Sequence, residues 1–241
     1  MPLTFPIAAV LLIVAGAIGR APDEQPQTPP TWTSLFNGRD LSGWRGRQQD
    51  YSPYEEARLT PEALAEKQKL WNADMARHWR VDTEKQEIVS DGEGVYLTTD
   101  KNYADFELRL DWRMVSPNGD SGVYLRGFPQ VQVWDPDNPR EVRNGAPRGS
   151  GALWNNNADN PGKWPLVKAD NPVGDWNSFT IRMIGSRVWV WLNEKLTVDG
   201  QVLDNYFDRS QPVLPRGPIE LQTHGSEIRF RRIQVREITG G

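Results

Sequence analysis

Residues 106–113 read Phe-Glu-Leu-Arg-Leu-Asp-Trp-Arg, with apolar and charged positions alternating throughout. A period of two places all the apolar side chains on one face of an extended chain, the pattern of a half-buried antiparallel strand. Further strand candidates lie at 122–126, 130–134, 179–184, 187–193, 218–223 and 228–236. Turn signals such as Pro117-Asn118-Gly119, Asp159-Asn160-Pro161-Gly162 and Ile184-Gly185-Ser186-Arg187 separate them. In 187–193, Trp189 and Trp191 share one face and are expected to form a buried stripe, opposite Val188, Val190 and Leu192. One segment departs from the period of two. Thr60-Pro61 offers an N-cap and a proline at the first helical position, and Leu64, Trp71 and Met75 follow at helical spacing, which predicts a helix near 61–76. Many short strands, one helix and no internal repeat predict an all-β sandwich or jelly roll of two antiparallel sheets. It is expected to form one domain over residues 33–238.

The first residues have a different pattern. Ile7 to Gly19 is an unbroken run of apolar and small residues followed by Arg20. It is shorter than the ~20 apolar residues that a spanning helix needs. It fits the apolar region of a signal peptide over 1–21, with cleavage near Ala17 or Ala21, although no Lys or Arg precedes it; an uncleaved N-terminal anchor is the alternative reading. Residues 22–32, with Pro22, Pro26, Pro29 and Pro30, read as an extended linker. The expectation is a periplasmic or secreted protein with no stable membrane insertion once the signal is removed.

Composition narrows the chemistry. With 28 basic and 32 acidic residues among 241, the net charge of −4 provides no general attraction for nucleic acid. Cysteine is absent, which excludes thiol catalysis, disulfides, thiolate metal sites and a lipidated cysteine. The two histidines, His78 and His224, oblige any metal site to rely on oxygen ligands. Eleven tryptophans against seven phenylalanines favour a surface that stacks on sugars. There is no G-x-S-x-G, P-loop, G-x-G-x-x-G or H-E-x-x-H motif, so serine hydrolysis, nucleotide chemistry and zinc hydrolysis are disfavoured.

Candidate site residues are those that share one face of a strand. In Ile219-Glu220-Leu221-Gln222-Thr223-His224-Gly225, Glu220, Gln222 and His224 point the same way, ~6–7 Å apart. An acid, an amide and an imidazole in a row can act as base, orienter and acid, or ligate a metal; the same alternation also describes a solvated outer face. Gly225 would permit close approach behind His224. A second group comprises Tyr124 and Arg126, with Gln132, Trp134 and Asp135 on the next strand. Arg126 is suited to an enolate or a sugar hydroxyl, and also to an ion pair. Trp134 is suited to a pyranose face, and also to the core. Trp154-Asn155 and Trp176-Asn177 add aromatic–polar pairs that would line a groove or close loops.

Several strings together carry a resemblance: Leu35-Phe36-Asn37-Gly38-Arg39-Asp40-Leu41-Ser42-Gly43-Trp44, Tyr103 to Leu108, Asp120 to Gly127, Val131 to Asp135, Gly217 to Gly225 and Ile233 to Ile238. In this order, over about 33–238, they resemble the 3-keto-disaccharide hydrolase domain family, with 50–79 as a helical insertion. The resemblance implies a concanavalin A-like jelly roll, related to laminarinase-type glucanases, and an oligosaccharide or glycoside substrate already oxidised to a ketone at C3. The ketone acidifies the C2 proton, so a base removes it and the C1 substituent leaves; water then adds. On that basis Glu220 and His224 are expected as acid/base groups and Arg126 as the enolate contact, with Asp135 also in the catalytic set. Glu107, Tyr124, Gln132, Trp134, Asn155 and Gln222 are expected to bind substrate. No cofactor is required, and a divalent cation is compatible with the carboxylates present. The alternative is a lectin-like carbohydrate-binding module that uses the same groove without turnover. No E-x-D-x-x-E run is present, which counts against an ordinary glucanase.

Overall fold

The structure, a computed structural model, describes Met1 and residues 31–238. The expected signal peptide over 1–21, apart from Met1, and most of the expected linker over 22–32 lie outside the described residues. In chain order the elements are β1 (Thr33–Ser34), β2 (Trp44–Arg47), α1 (Pro53–Glu56), α2 (Pro61–His78), β3 (Trp79–Asp82), β4 (Glu87–Ser90), β5 (Tyr96–Thr99), β6 (Phe106–Met114) and β7 (Asp120–Leu125). They continue with β8 (Phe128–Trp134), β9 (Asn177–Ile184), β10 (Arg187–Leu192), β11 (Lys195–Val202), β12 (Glu220–Leu221) and β13 (Ile228–Glu237). Two antiparallel sheets result. The larger has the order β11-β10-β9-β6-β13-β4-β3, with β1 also paired to β13, and the smaller has the order β2-β5-β12-β7-β8.

The alternation in β6 is realised as read. Phe106, Leu108, Leu110, Trp112 and Met114 face inward, while Glu107, Arg109, Asp111 and Arg113 face outward. Leu97, Val123, Val131, Val133 and Leu221 of the smaller sheet meet them in a shared core. Each such side chain contributes roughly 1.5–3 kcal/mol on burial. In β13 the phase changes part-way, from Ile228 and Phe230 to Ile233 and Val235, because the register slips between Arg231 and Gln234 and Arg232 adopts φ 50°. This bulge turns two successive arginines outward. The tryptophans of β10 do not form the expected buried stripe. Val188, Val190 and Leu192 fill the core, while Trp189 and Trp191 lie half-buried on the outer face.

The inserted segment shapes the smaller sheet. Thr60 Oγ1 accepts a hydrogen bond from the Ala63 amide, Pro61 follows, and Trp71 buries against Tyr51 and Val95. The helix therefore runs two residues beyond the expected 61–76. It lies along the edge strand β2, where Asn72 Oδ1 accepts from the Gly46 amide (3.0 Å) and Gln68 Nε2 donates to the Gly46 carbonyl (2.8 Å). A Cβ on Gly46 would sit 2.3 Å from the Trp71 carbonyl oxygen, so glycine is what admits the helix. An open sheet edge is thereby covered.

Candidate active site

The smaller sheet turns a polar face away from the core. Antiparallel register places Arg45, Thr98, Glu220 and Tyr124 in one row across β2, β5, β12 and β7. The next row carries Arg47, Tyr96, Gln222 and Gly122, with Gln132 beyond it on β8. Asp120 lies opposite Trp134 one step further on. Over part of this face lies a cleft of about 270 Å³, floored by Asp120, Tyr124, Gln130, Gln132 and Gln222 and reached by His224. Loops supply the walls: Asp50, Glu141 and Asn144, Trp154 and Asn155, and Tyr206. Trp134 meets Trp154 edge to face, with centroids 5.7 Å apart. The Trp154 loop is held from behind: Lys163 Nζ donates to the Trp154 carbonyl (2.7 Å) and Arg209 donates to the Asn155 carbonyl (2.6 Å). The wall is therefore rigid and aromatic, fit to stack on a sugar ring.

Two acidic groups organise the polar part. Asp120 Oδ2 is 3.2 Å from His224 Nδ1, while its Oδ1 accepts from Gln132 Nε2 at 2.6 Å. The hydrogen bond to Asp120, aided by the charges of Asp120, Glu141 and Asp50, lifts the His224 imidazole above its ordinary value against partial burial. With Nδ1 committed to Asp120, Nε2 is the ring nitrogen left for proton transfer. Asp50 Oδ1 accepts from the Tyr124 hydroxyl at 2.5 Å, and Tyr96 stands 3.3 Å from Tyr124. Burial raises both phenols, Tyr124 well above the ordinary tyrosine range, so both remain protonated donors. Three buried amide oxygens, on Gln130, Asn155 and Gln222, have no partner in the protein. The cleft thus combines one histidine–aspartate pair, acceptors without donors and an aromatic wall, all on rigid strands or braced loops.

Comparison with known proteins gives the family and the fold. The family model of the 3-keto-alpha-glucoside-1,2-lyase-like domain matches residues 31–236. The chain belongs to that family. Two crystal structures of proposed glycosyl hydrolases from Parabacteroides distasonis are similar in fold. One is 23% identical, covers 86% of this chain and 94% of its own, and superposes with a TM-score of 0.60. The other is 21% identical, covers 86% and 100%, and has a TM-score of 0.57. No match was found among the curated proteins. The lyase-like domain is thus a carbohydrate-active jelly roll.

Of the residues expected from sequence, the lyase-like domain brings His224, Tyr124, Gln132, Trp134, Asn155 and Gln222 to the cleft. It places four elsewhere. Glu220 shares the face of Gln222, as its parity requires, but it is covered by Arg47, which in turn engages Glu56 of α1 and the Tyr51 ring. Its carboxylate is fully buried and accepts from Arg47 Nη1 (2.8 Å) and from Thr98 (3.3 Å), and Arg47 also pairs with Glu56 of α1. Burial pushes the Glu220 carboxyl up against the pull of Arg47 and Arg45. Arg126 does not share a face with Tyr124, because Arg126 and Gly127 (φ 55° and 77°) form the tight turn between β7 and β8. Its guanidinium is spent on the Ala104 and Leu214 carbonyls and on Asp105. Asp135 accepts from the Asn118 and Asp137 amides (2.8 and 2.9 Å) and shapes turns. Glu107 lies on the outer face of the larger sheet under Arg182 and Arg236; burial opposes its ionisation, and the hydrogen bonds from those two arginines outweigh it and hold its carboxyl low.

The cleft also contains residues that sequence reasoning missed. Asp120 and Gln130 carried a signal, since each stands two positions before a residue on the same face, Gly122 and Gln132. Asp50, Glu141 and Tyr206 come from loops, where no period indicates direction. Gly225 adopts φ 68° with nothing near its would-be Cβ, so backbone conformation rather than close approach is its role. Among the described residues no group of three His, Asp or Glu side chains is placed to hold a metal ion, and both oxygens of Asp120 are already engaged. No described helix is long and apolar enough to cross a membrane.

Proposed function

We propose that the protein cleaves the glycosidic bond of 3-keto-glycosides, and that His224 is the proton-transfer group. The observation that carries this reading is the His224–Asp120 pair facing a cleft with a polar floor and a tryptophan wall. With a ketone at C3, neutral His224 takes the C2 proton. The C–H bonding pair becomes the C1–C2 double bond, and the C1–O pair leaves with the aglycone oxygen. The imidazolium, favoured by Asp120, then returns a proton to that oxygen. Addition of water to the unsaturated keto sugar completes net hydrolysis. Trp154, backed edge to face by the buried Trp134, would hold the ring by stacking, and Tyr124 would donate toward the developing enolate oxygen when Asp50 releases it. An exported location, from the 7–19 apolar run, belongs to the same reading, because glycosides outside the cytoplasm would be the substrates.

The test is incubation of the full chain with 3-keto-trehalose, 3-keto-lactose and the unoxidised sugars, beside His224→Asn. Release of the aglycone sugar from the keto substrates alone, lost in the variant, supports the proposal. Binding without turnover by the wild-type protein would replace it with the lectin-like reading.

A further inference from the structure

Two hydrogen-bond chains end at one place on the cleft floor. The first begins at Asp120, whose Oδ1 accepts from Gln132 Nε2, a nitrogen that also donates to the Ser121 and Val133 carbonyls (3.2 and 3.1 Å). Three acceptors around that nitrogen fix the orientation of the amide, so Gln132 Oε1 has to accept. Gln130 Nε2 donates to it. Gln130 Oε1 is then left buried and unpaired, in a side chain only 5% exposed. The second chain begins at Asp50, which accepts the hydrogen bond of the Tyr124 hydroxyl. Tyr96 therefore donates to the Tyr124 oxygen (3.3 Å) or to Asp50 Oδ1 (3.5 Å), and in either case its own oxygen accepts from Gln222 Nε2 (3.1 Å). Gln222 Oε1 is in turn left buried and unpaired, in a side chain 7% exposed.

The two free oxygens converge. Gly122 lies beneath them, and a Cβ at that position would stand 2.7 Å from Gln130 Oε1 and 3.0 Å from Gln222 Oε1. Two carboxylates, on different elements, thus impose the same polarity on one spot through separate relays. We infer that this spot is a donor-only subsite, in which one sugar hydroxyl donates to Gln130 Oε1, a second donates to Gln222 Oε1, and a carbonyl is rejected. The inference rests on the carbohydrate reading of the cleft. It makes Gln130 a specificity residue beside Gln222, and it makes Tyr96 a positioning residue that acts through Gln222. A carbonyl oxygen brings no proton, so placed here it would face two acceptors and leave both unpaired. The oxidised carbon of a keto sugar must then lie away from Gly122, which sets the direction in which the ring enters.

The experiment is titration calorimetry of the full chain with methyl glucopyranoside and its monodeoxy analogues, together with steady-state cleavage of 3-keto-trehalose. Wild type is compared with Gln130→Met, Gln222→Met and Tyr96→Phe, and thermal melts identify any variant that fails to fold; Gln130 and Gln222 stand on different strands, so one can serve if the other misfolds. Expected is a tenfold or greater weakening of glycoside binding in both methionine variants. At least one deoxy analogue that binds wild type poorly should bind Gln130→Met as well as the parent sugar does. Tyr96→Phe should raise KM at least threefold with kcat little changed, a split that mere loss of stability would not produce. Binding and KM within twofold of wild type in both methionine variants would overturn the inference, even if 3-keto-trehalose is cleaved normally. Weakened binding without any turnover by wild type would sustain it while removing the enzymatic reading. Calcium chloride that binds wild type and not Gln130→Met would overturn it in favour of a cation site, and failure of wild type to bind any of the sugars would overturn it outright.

Discussion

His224 Nδ1 and Asp120 Oδ2 stand 3.2 Å apart at the mouth of the cleft, and this hydrogen bond is the main cause that lifts the imidazole pKa above the ordinary histidine value. If neutral His224 removes the C2 proton, kcat/KM for a 3-keto-glycoside rises with pH through the His224 pKa. Asp120→Asn should move that rising limb to lower pH, toward the ordinary histidine value of about 6.5. A pH–rate profile with the limb unmoved would assign it to another group.

The same pair has a consequence for stability. A raised folded-state pKa stabilises the fold fully below the unfolded value of about 6.5, and the benefit fades as pH rises through the folded value. Thermal melts of wild type and His224→Gln should therefore differ most near pH 5 and converge at alkaline pH. A difference that grows with pH would contradict the sign.

Arg47 and Glu220 form a buried ion pair, and Arg47 also engages Glu56 of α1. Arg47→Met would leave a buried carboxylate without its partner, and such a break costs about 3–5 kcal/mol. Arg47→Met/Glu220→Leu should recover most of that loss in urea unfolding. If instead Glu220→Gln abolished turnover at wild-type stability, Glu220 would be a catalytic residue exposed by movement of α1.

Arg126 joins the Ala104, Asp105 and Leu214 loops and does not line the cleft. Arg126→Met should lower stability by about 2–3 kcal/mol, the scale of charged hydrogen bonds removed from a buried site. KM of the folded fraction should remain near that of wild type. A change in KM larger than the change in melting temperature explains would return Arg126 to the site.

Trp154 forms the wall opposite the floor. Trp154→Ala should weaken sugar binding by about tenfold, equivalent to roughly 1.4 kcal/mol. Calorimetry with a methyl glycoside measures it, and unchanged affinity would move the stacking face to Tyr206.

By itself the sequence determined a sandwich of short strands, a helix near 61–76 and the shared face of Glu220, Gln222 and His224, because each depends on a local period of the chain. It also determined the families of chemistry that are absent, since no cysteine and no nucleotide motif can arise by folding. Tertiary structure alone decided which part of the polar face is open. Glu220 and His224 have the same parity, but Arg47 covers the one and leaves the other beside the cleft, and nothing within the strand records what another segment will cover. Arg126 was misread for a related reason. Period two holds only while the strand runs, and the turn at Arg126-Gly127 ends it one residue early. Tertiary structure likewise decided that Asp50 and Tyr206, far apart in the chain, wall the same cleft, because loop direction is set by packing against the domain and not by any repeat in the loop itself.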